Sequence, residues 1–125
     1  MPPIPVPNLT AFHWRLFFWA CVVTILVLAL MPPTQPLPTT GWDKTNHLLA
    51  FGALWVLGRR AYGGHGLALV LGLVAYGGLI ELLQGQTGYR EADWFDLVAD
   101  SMGVAVGMGL DWLARTLGRR GPVAR

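Results

Sequence analysis

The sequence predicts an all-α polytopic membrane protein, a bundle of four transmembrane helices forming one domain over residues 1–125. Three observations lead there. Charged residues make up only 13% of the chain and hydrophobic ones 54%, where soluble domains carry roughly 25% charged residues. The apolar residues come in blocks: Leu16–Met31, Leu48–Leu57, Leu67–Leu83 and Leu97–Leu113. Connectors rich in proline or glycine separate them: PPTQPLPTTG at 32–41, AYGGHG at 61–66 and GQTGYR at 85–90. At 125 residues the chain is long enough for one domain with a core shared between helices.

Residues 1–10, MPPIPVPNLT, cannot be helical through Pro7, because proline lacks the amide donor a helix needs. The first helix is expected over about 11–31. Thr24 is its only polar side chain after Arg15, so much of its surface faces lipid. Arg15 followed by an apolar run also fits the start of a signal peptide. No small-x-small cleavage pattern follows, however, and the helix is read as retained. The prolines after Met31 stop it and keep the connector extended.

The second helix is expected over about 43–60. Its apolar run, Leu48–Leu57, is too short to cross a hydrocarbon core of about 30 Å. Counted from Asp43 it is long enough, and its polar first turn must then face other helices or water. The third helix is expected over about 67–84, carrying Gly72, Gly77 and Gly78. The fourth, over about 94–114, enters the membrane through a charged stretch, READWFDLVADSMGVAVG. Asp93, Asp96 and Asp100 recur in it at helical spacing, and Gly103 and Gly107 continue their face. A carboxylate inside such a helix costs roughly 3 kcal/mol on insertion scales unless it is paired or reaches water.

The net charge of +2 matters less than its placement. Arg15, Arg59, Arg60, Arg115, Arg119, Arg120 and Arg125 fall on one side of the membrane, Lys44 and Arg90 on the other. The positive-inside rule then puts both termini in the cytoplasm. The acids show the reverse pattern: Asp43, Glu81, Glu91, Asp93, Asp96 and Asp100 lie toward the outer side, and Asp111 alone lies inside. Ordinary loop polarity accounts for Glu91 and Asp93 but not for Glu81, Asp96 or Asp100. Trp42 and Trp94 sit at the outer interface and Trp112 at the inner one, Asp111 and Arg115 form an i,i+4 pair, and the tail arginines meet anionic lipid headgroups. Nucleic-acid binding is excluded, because topology already explains the arginines. The single Cys21 rules out a disulfide framework and a cysteine zinc site.

Three helix ends are expected to converge on a polar pocket toward the outer face. The ligand-binding set is Asp43, Lys44 and His47 from the second helix, Glu81 and Gln84 from the third, and Arg90, Asp96 and Asp100 from the fourth. His47 exchanges a proton near neutral pH, so His47, Glu81 and Asp96 are the candidate catalytic residues. Ser101 has no assigned base and is read as a packing residue. Carboxylates outnumber Lys44 and Arg90, a surplus relieved by carboxyl protonation, a bound cation or a cationic ligand. The spacings match no recognised metal motif, so neither a metal nor a cofactor is assigned.

DKTNHLLAF, ELLQ and READWFDLVADSMG together resemble the VanZ-like family of small membrane proteins. Its pattern is Asp-Lys-x-x-His, then Glu-x-x-Gln, then an Arg ahead of Asp-x-x-x-Asn-x-x-Gly. These fall on Asp43, Lys44 and His47; on Glu81 and Gln84; and on Arg90, Asp96, Asp100 and Gly103. The chain departs from it in carrying Asp100 where the family commonly has Asn. The resemblance covers roughly residues 43–107. It implies a multi-pass protein of a bacterial cytoplasmic membrane, acting at the cell envelope; the founding member is associated with resistance to the glycopeptide teicoplanin. Implied partners are membrane lipids and a lipid-linked or glycopeptide ligand. The residues leave open a ligand-binding or purely structural role, an enzyme acting on a lipid-linked substrate, and a proton-coupled carrier built as a homo-oligomer.

Overall fold

The computed structural model describes residues 9–32 and 43–119, without the side chains of Asp43 and Arg119. Four helices account for almost all of it: α1 (Ala11–Leu30), α2 (Asp43–Ala61), α3 (Gly66–Gln86) and α4 (Trp94–Arg119). No strand occurs among the described residues. The first three helices end within two residues of the predicted bounds, whereas α4 runs on to Arg119. Nothing in its last turns breaks a helix before the Gly-Pro of the tail. Among the described residues three helices are long and apolar enough to cross a membrane, α1, α3 and residues 94–118 of α4.

The boundaries follow from local chemistry. Thr10 and His13 hydrogen-bond across the first turn of α1, Oγ1 to Nδ1, at 2.8 Å. Met31 leaves the helix in extended backbone ahead of Pro32, as a residue before proline prefers. At the end of α3, Thr87 donates from both its amide and its hydroxyl to the Gln84 carbonyl. Gly88 then turns the chain with φ +79°, a conformation that glycine adopts without a Cβ penalty. Asp93 opens α4: its Oδ1 accepts the Phe95 amide at 2.9 Å, the usual service of an aspartate before a helix.

Helix α2 packs most extensively against α4 and next against α1, while α1 and α4 do not touch among the described residues. It is therefore wedged between them, with α3 closing against all three. This enclosure lets the least apolar helix share the membrane-spanning bundle. Phe51, Leu54 and Trp55 of α2 are buried against Phe18, Leu73, Ile80 and Val104. The outer surface is apolar as well: Phe12, Leu16, Leu67, Leu71, Phe95, Met102, Leu110 and Leu117 are all exposed. On α4 the exposed residues Val98, Met102 and Val106 oppose the buried face of Asp96, Asp100, Gly103 and Gly107.

Where lipid is as apolar as leucine, close packing takes over from hydrophobic burial as the force between helices. A Cβ on Gly103 would overlap the Leu48 carbonyl oxygen, and one on Gly107 would sit 3.0 Å from Trp55. Gly103 and Gly107 therefore mark close approaches between α2 and α4. On α3 a Cβ on Gly77 would come within 2.7 Å of the Asp100 side chain at Oδ2, whereas Gly72 and Gly78 meet nothing within 4 Å.

The helices alternate in direction, so each bundle end gathers residues from all four. One end collects arginines. Arg15 donates from Nε to the Ala61 carbonyl at 3.2 Å and lies 4.9 Å over the Tyr62 ring. Arg60 lies 5.0 Å over Trp14, and Arg59 5.7 Å over Trp55. Asp111 pairs with Arg115 at 2.7 Å, as its spacing predicts, and with Arg59 at 3.9 Å. The other end collects the acids.

Candidate functional site

At the acid end, the first turns of α2 and α4 meet the last turn of α3. Asp43 supplies the backbone that starts α2; its side chain, like all of Trp42, lies outside the described residues. One residue on, the Lys44 ammonium donates to Asp93 Oδ2 at 2.7 Å and to Asp96 Oδ1 at 2.5 Å. One turn deeper, His47 Nδ1 lies 2.7 Å from Asp100 Oδ1, and Nε2 lies 3.4 Å from Asp96 Oδ2. The imidazole thus bridges the two α4 carboxylates that helical spacing had stacked on one face.

Glu81 enters from α3. It is wholly buried, and its Oε2 accepts the backbone N–H of Asp93 at 2.8 Å. Its Oε1 is also buried and has no hydrogen-bond partner among the described residues. Asp100 is equally buried, with Oδ2 against the bare Cα of Gly77. A ring nitrogen of His47 and one carboxylate oxygen each from Glu81 and Asp100 lie within 4.8 Å of one another, close enough to share a cation.

The site deepens inward from the Lys44 mouth. The Lys44 side chain is 28% exposed, His47 12%, and Asp100 not at all. At the mouth, the Lys44 ammonium bonded to Asp93 holds that carboxyl below its usual range, and the Phe95 amide adds to the effect. Chemically, the arrangement can orient an imidazole for proton transfer. It can also accept hydrogen-bond donors or a cation through its carboxylate oxygens.

Lys44, His47, Glu81, Asp96 and Asp100 come together as one cluster. Gln84 and Arg90 do not join it. Gln84 Nε2 donates to the Ala29 carbonyl at 2.9 Å, and Arg90 Nε to the Met31 carbonyl at 2.9 Å. Both instead satisfy the last carbonyls of α1, which that helix leaves open at its C-terminus; the Tyr89 hydroxyl does the same for Leu30. Arg90 therefore leaves Lys44 as the fixed cation bonded to the acids. Asp93 is the converse case: its sequence position reads as loop, yet it is both helix cap and second partner of Lys44. An aspartate directly before a helix start is the signal that marks it. Ser101 donates to the Leu97 carbonyl at 2.9 Å within its own helix.

The sequence model of the VanZ/LLP1 family matches residues 3–115, nearly the whole chain. No curated protein and no solved structure gives a match.

Proposed function

This chain belongs to the VanZ/LLP1 family of membrane proteins, and from that premise we propose that it acts at the cell envelope by binding a lipid-linked or envelope ligand at its acid end. In this reading it spans a bacterial cytoplasmic membrane several times, with both termini in the cytoplasm and the acid end facing outward. The asymmetry of its nine basic residues along the sequence, seven of them in the stretches next to the termini and between the second and third helices, supports that orientation. The observation that carries the binding role is the graded cluster of Lys44, Asp96, His47 and Asp100. It runs from a partly exposed ammonium to a wholly buried carboxylate and is rich in carboxylate acceptors. Such a site selects a ligand that presents amine or hydroxyl donors. Tolerance of a glycopeptide such as teicoplanin is the phenotype this role would serve.

The purified protein, screened against lipid-linked precursors, phospholipids and teicoplanin, tests the reading. Wild type is expected to retain one of these classes, and His47→Ala to lose it. Failure of wild type to bind any of them would remove the proposal. Cysteines placed at positions 38 and 122 test the orientation, with outside labelling expected at 38 and none at 122.

A second reading, an enzyme acting on the same ligand class, draws on the His47–Asp100 contact of 2.7 Å. A carboxylate that orients an imidazole is how a general base is held. Here His47 would take a proton from an attacking water and return it to the leaving group, with Asp96 and Asp100 orienting its ring. Asp96→Asn would then accumulate normally yet lose turnover of the bound ligand. A purely structural pair would instead lower protein level and phenotype together.

A further inference from the structure

Three carboxylates, Glu81, Asp96 and Asp100, are buried at the acid end, and the Lys44 ammonium is already shared between Asp96 and Asp93. Glu81 and Asp100 approach each other from facing helices, with His47 of a third helix beside them. Glu81 Oε1 adds an independent sign. It is buried, faces no donor among the described residues, and belongs to a side chain with no exposure at all. Buried carboxylate oxygens are otherwise hydrogen-bonded, paired or bound to metal.

We propose that His47, Glu81 and Asp100 hold a divalent transition-metal ion of the zinc type, each giving one ligand atom. One imidazole nitrogen and two carboxylate oxygens make a donor set of intermediate hardness. Calcium and magnesium favour sites built of oxygen alone, and thiolate-loving ions require cysteines. The single cysteine, Cys21, sits on α1, among apolar core residues. Ligand atoms now within 4.8 Å of one another would contract by about 1 Å to reach zinc bonds of roughly 2 Å. Side-chain rotation supplies that movement, with the backbones already fixed by the Gly103 and Gly77 contacts. Two positive charges offset Glu81 and Asp100, Glu81 Oε1 gains a partner, and three protein ligands leave a position for an incoming group. Asp96 and Lys44 act here as positioning residues through His47.

This inference deepens the reading above and rests on the same cluster, so its test is made without any envelope ligand. The full chain is purified in detergent, stripped with a chelator and reloaded with zinc(II). Metal content is read by mass spectrometry and stability by thermal unfolding. The expected result is about one zinc per chain and a higher unfolding midpoint on reloading, by the mass action of a ligand that binds only the folded state. Asp100→Asn and Glu81→Gln keep side-chain shape and are expected to weaken zinc binding at least about tenfold. Asp111→Asn, at the opposite end, is expected to leave it unchanged. Should one of the two ligand variants fail to fold, the other and the wild-type stoichiometry still decide. Wild type that holds zinc in fewer than about one chain in ten, with no shift in midpoint, overturns the proposal and leaves protons as the neutralising charge. Wild type that binds an envelope ligand yet takes up no zinc would overturn the metal alone. Zinc binding with no envelope ligand would overturn only the earlier reading.

Discussion

The two ends of the bundle handle charge in opposite ways. At one end arginines lie over Trp14, Trp55 and Tyr62 or reach the Ala61 carbonyl, with Arg15 and Arg60 exposed and Arg59 partly buried. At the other, three carboxylates are buried and bonded across helices. Side-chain reach explains the difference. An arginine carries its delocalised charge on a long stem that can lie along apolar surface while its head finds water or a ring face. Aspartate cannot reach out, so a carboxylate inside the bundle must find its partners there. The arginine end therefore tolerates change, whereas the acid end ties the helices together.

The contrast breaks most severely at Gly103, where α2 and α4 touch backbone to backbone. Gly103→Ala would place a methyl on the Leu48 carbonyl. It is expected to cost about 3 kcal/mol, the top of the overpacking range, because backbone cannot step aside. Unfolding in detergent measures this, and Gly72→Ala, with nothing within 4 Å, is the control that should cost nothing.

Next comes Lys44→Met, which leaves buried Asp96 without its ammonium. Loss of one partner of a fully buried pair costs about 3–5 kcal/mol. The partial exposure of Lys44 brings the expected loss of stability below that range and below the effect of Gly103→Ala, with a further loss of whatever ligand the cluster holds. Arg60→Met at the other end should cost less than about 1 kcal/mol, the range of an exposed cation–π contact. If the two substitutions cost the same, the contrast between the ends fails.

The smallest effect is a pH dependence at the mouth. The folded carboxyl of Asp93 lies below its usual 3.8, so the unfolded chain takes up this proton first as the pH falls. The Lys44–Asp93 contribution is therefore complete above about pH 4 and is lost below that, as the pH passes through the lowered value. Asp93→Asn should remove this part of the acid-side slope in an unfolding titration, and an unchanged slope would show that Asp93 does not contribute.

Much of this is legible in the sequence. Blocks of apolar residues and their proline and glycine connectors located four helices closely. The spacing of Asp96, Asp100, Gly103 and Gly107 is enough to put the acids and the close-packing glycines on one α4 face. Arg90 and Gln84 show where such reasoning stops. Their motif positions suggest pocket residues, yet their donors meet the terminal carbonyls of α1. Only knowing where α1 ends beside α3 reveals that alternative. Asp93 errs in the other direction, because a loop position says nothing of a lysine 49 residues earlier.

Local periodicity and composition settle the membrane class, the helix bounds other than the end of α4, and the face each acid occupies. Tertiary structure alone decided which acid meets which base. It set Lys44 between Asp93 and Asp96, His47 between Asp96 and Asp100, and Glu81 beside them with one oxygen unmatched. Those pairings depend on the depth at which three helices cross. That depth is set by where glycines let backbones touch, a sum of contacts that no single stretch of sequence contains.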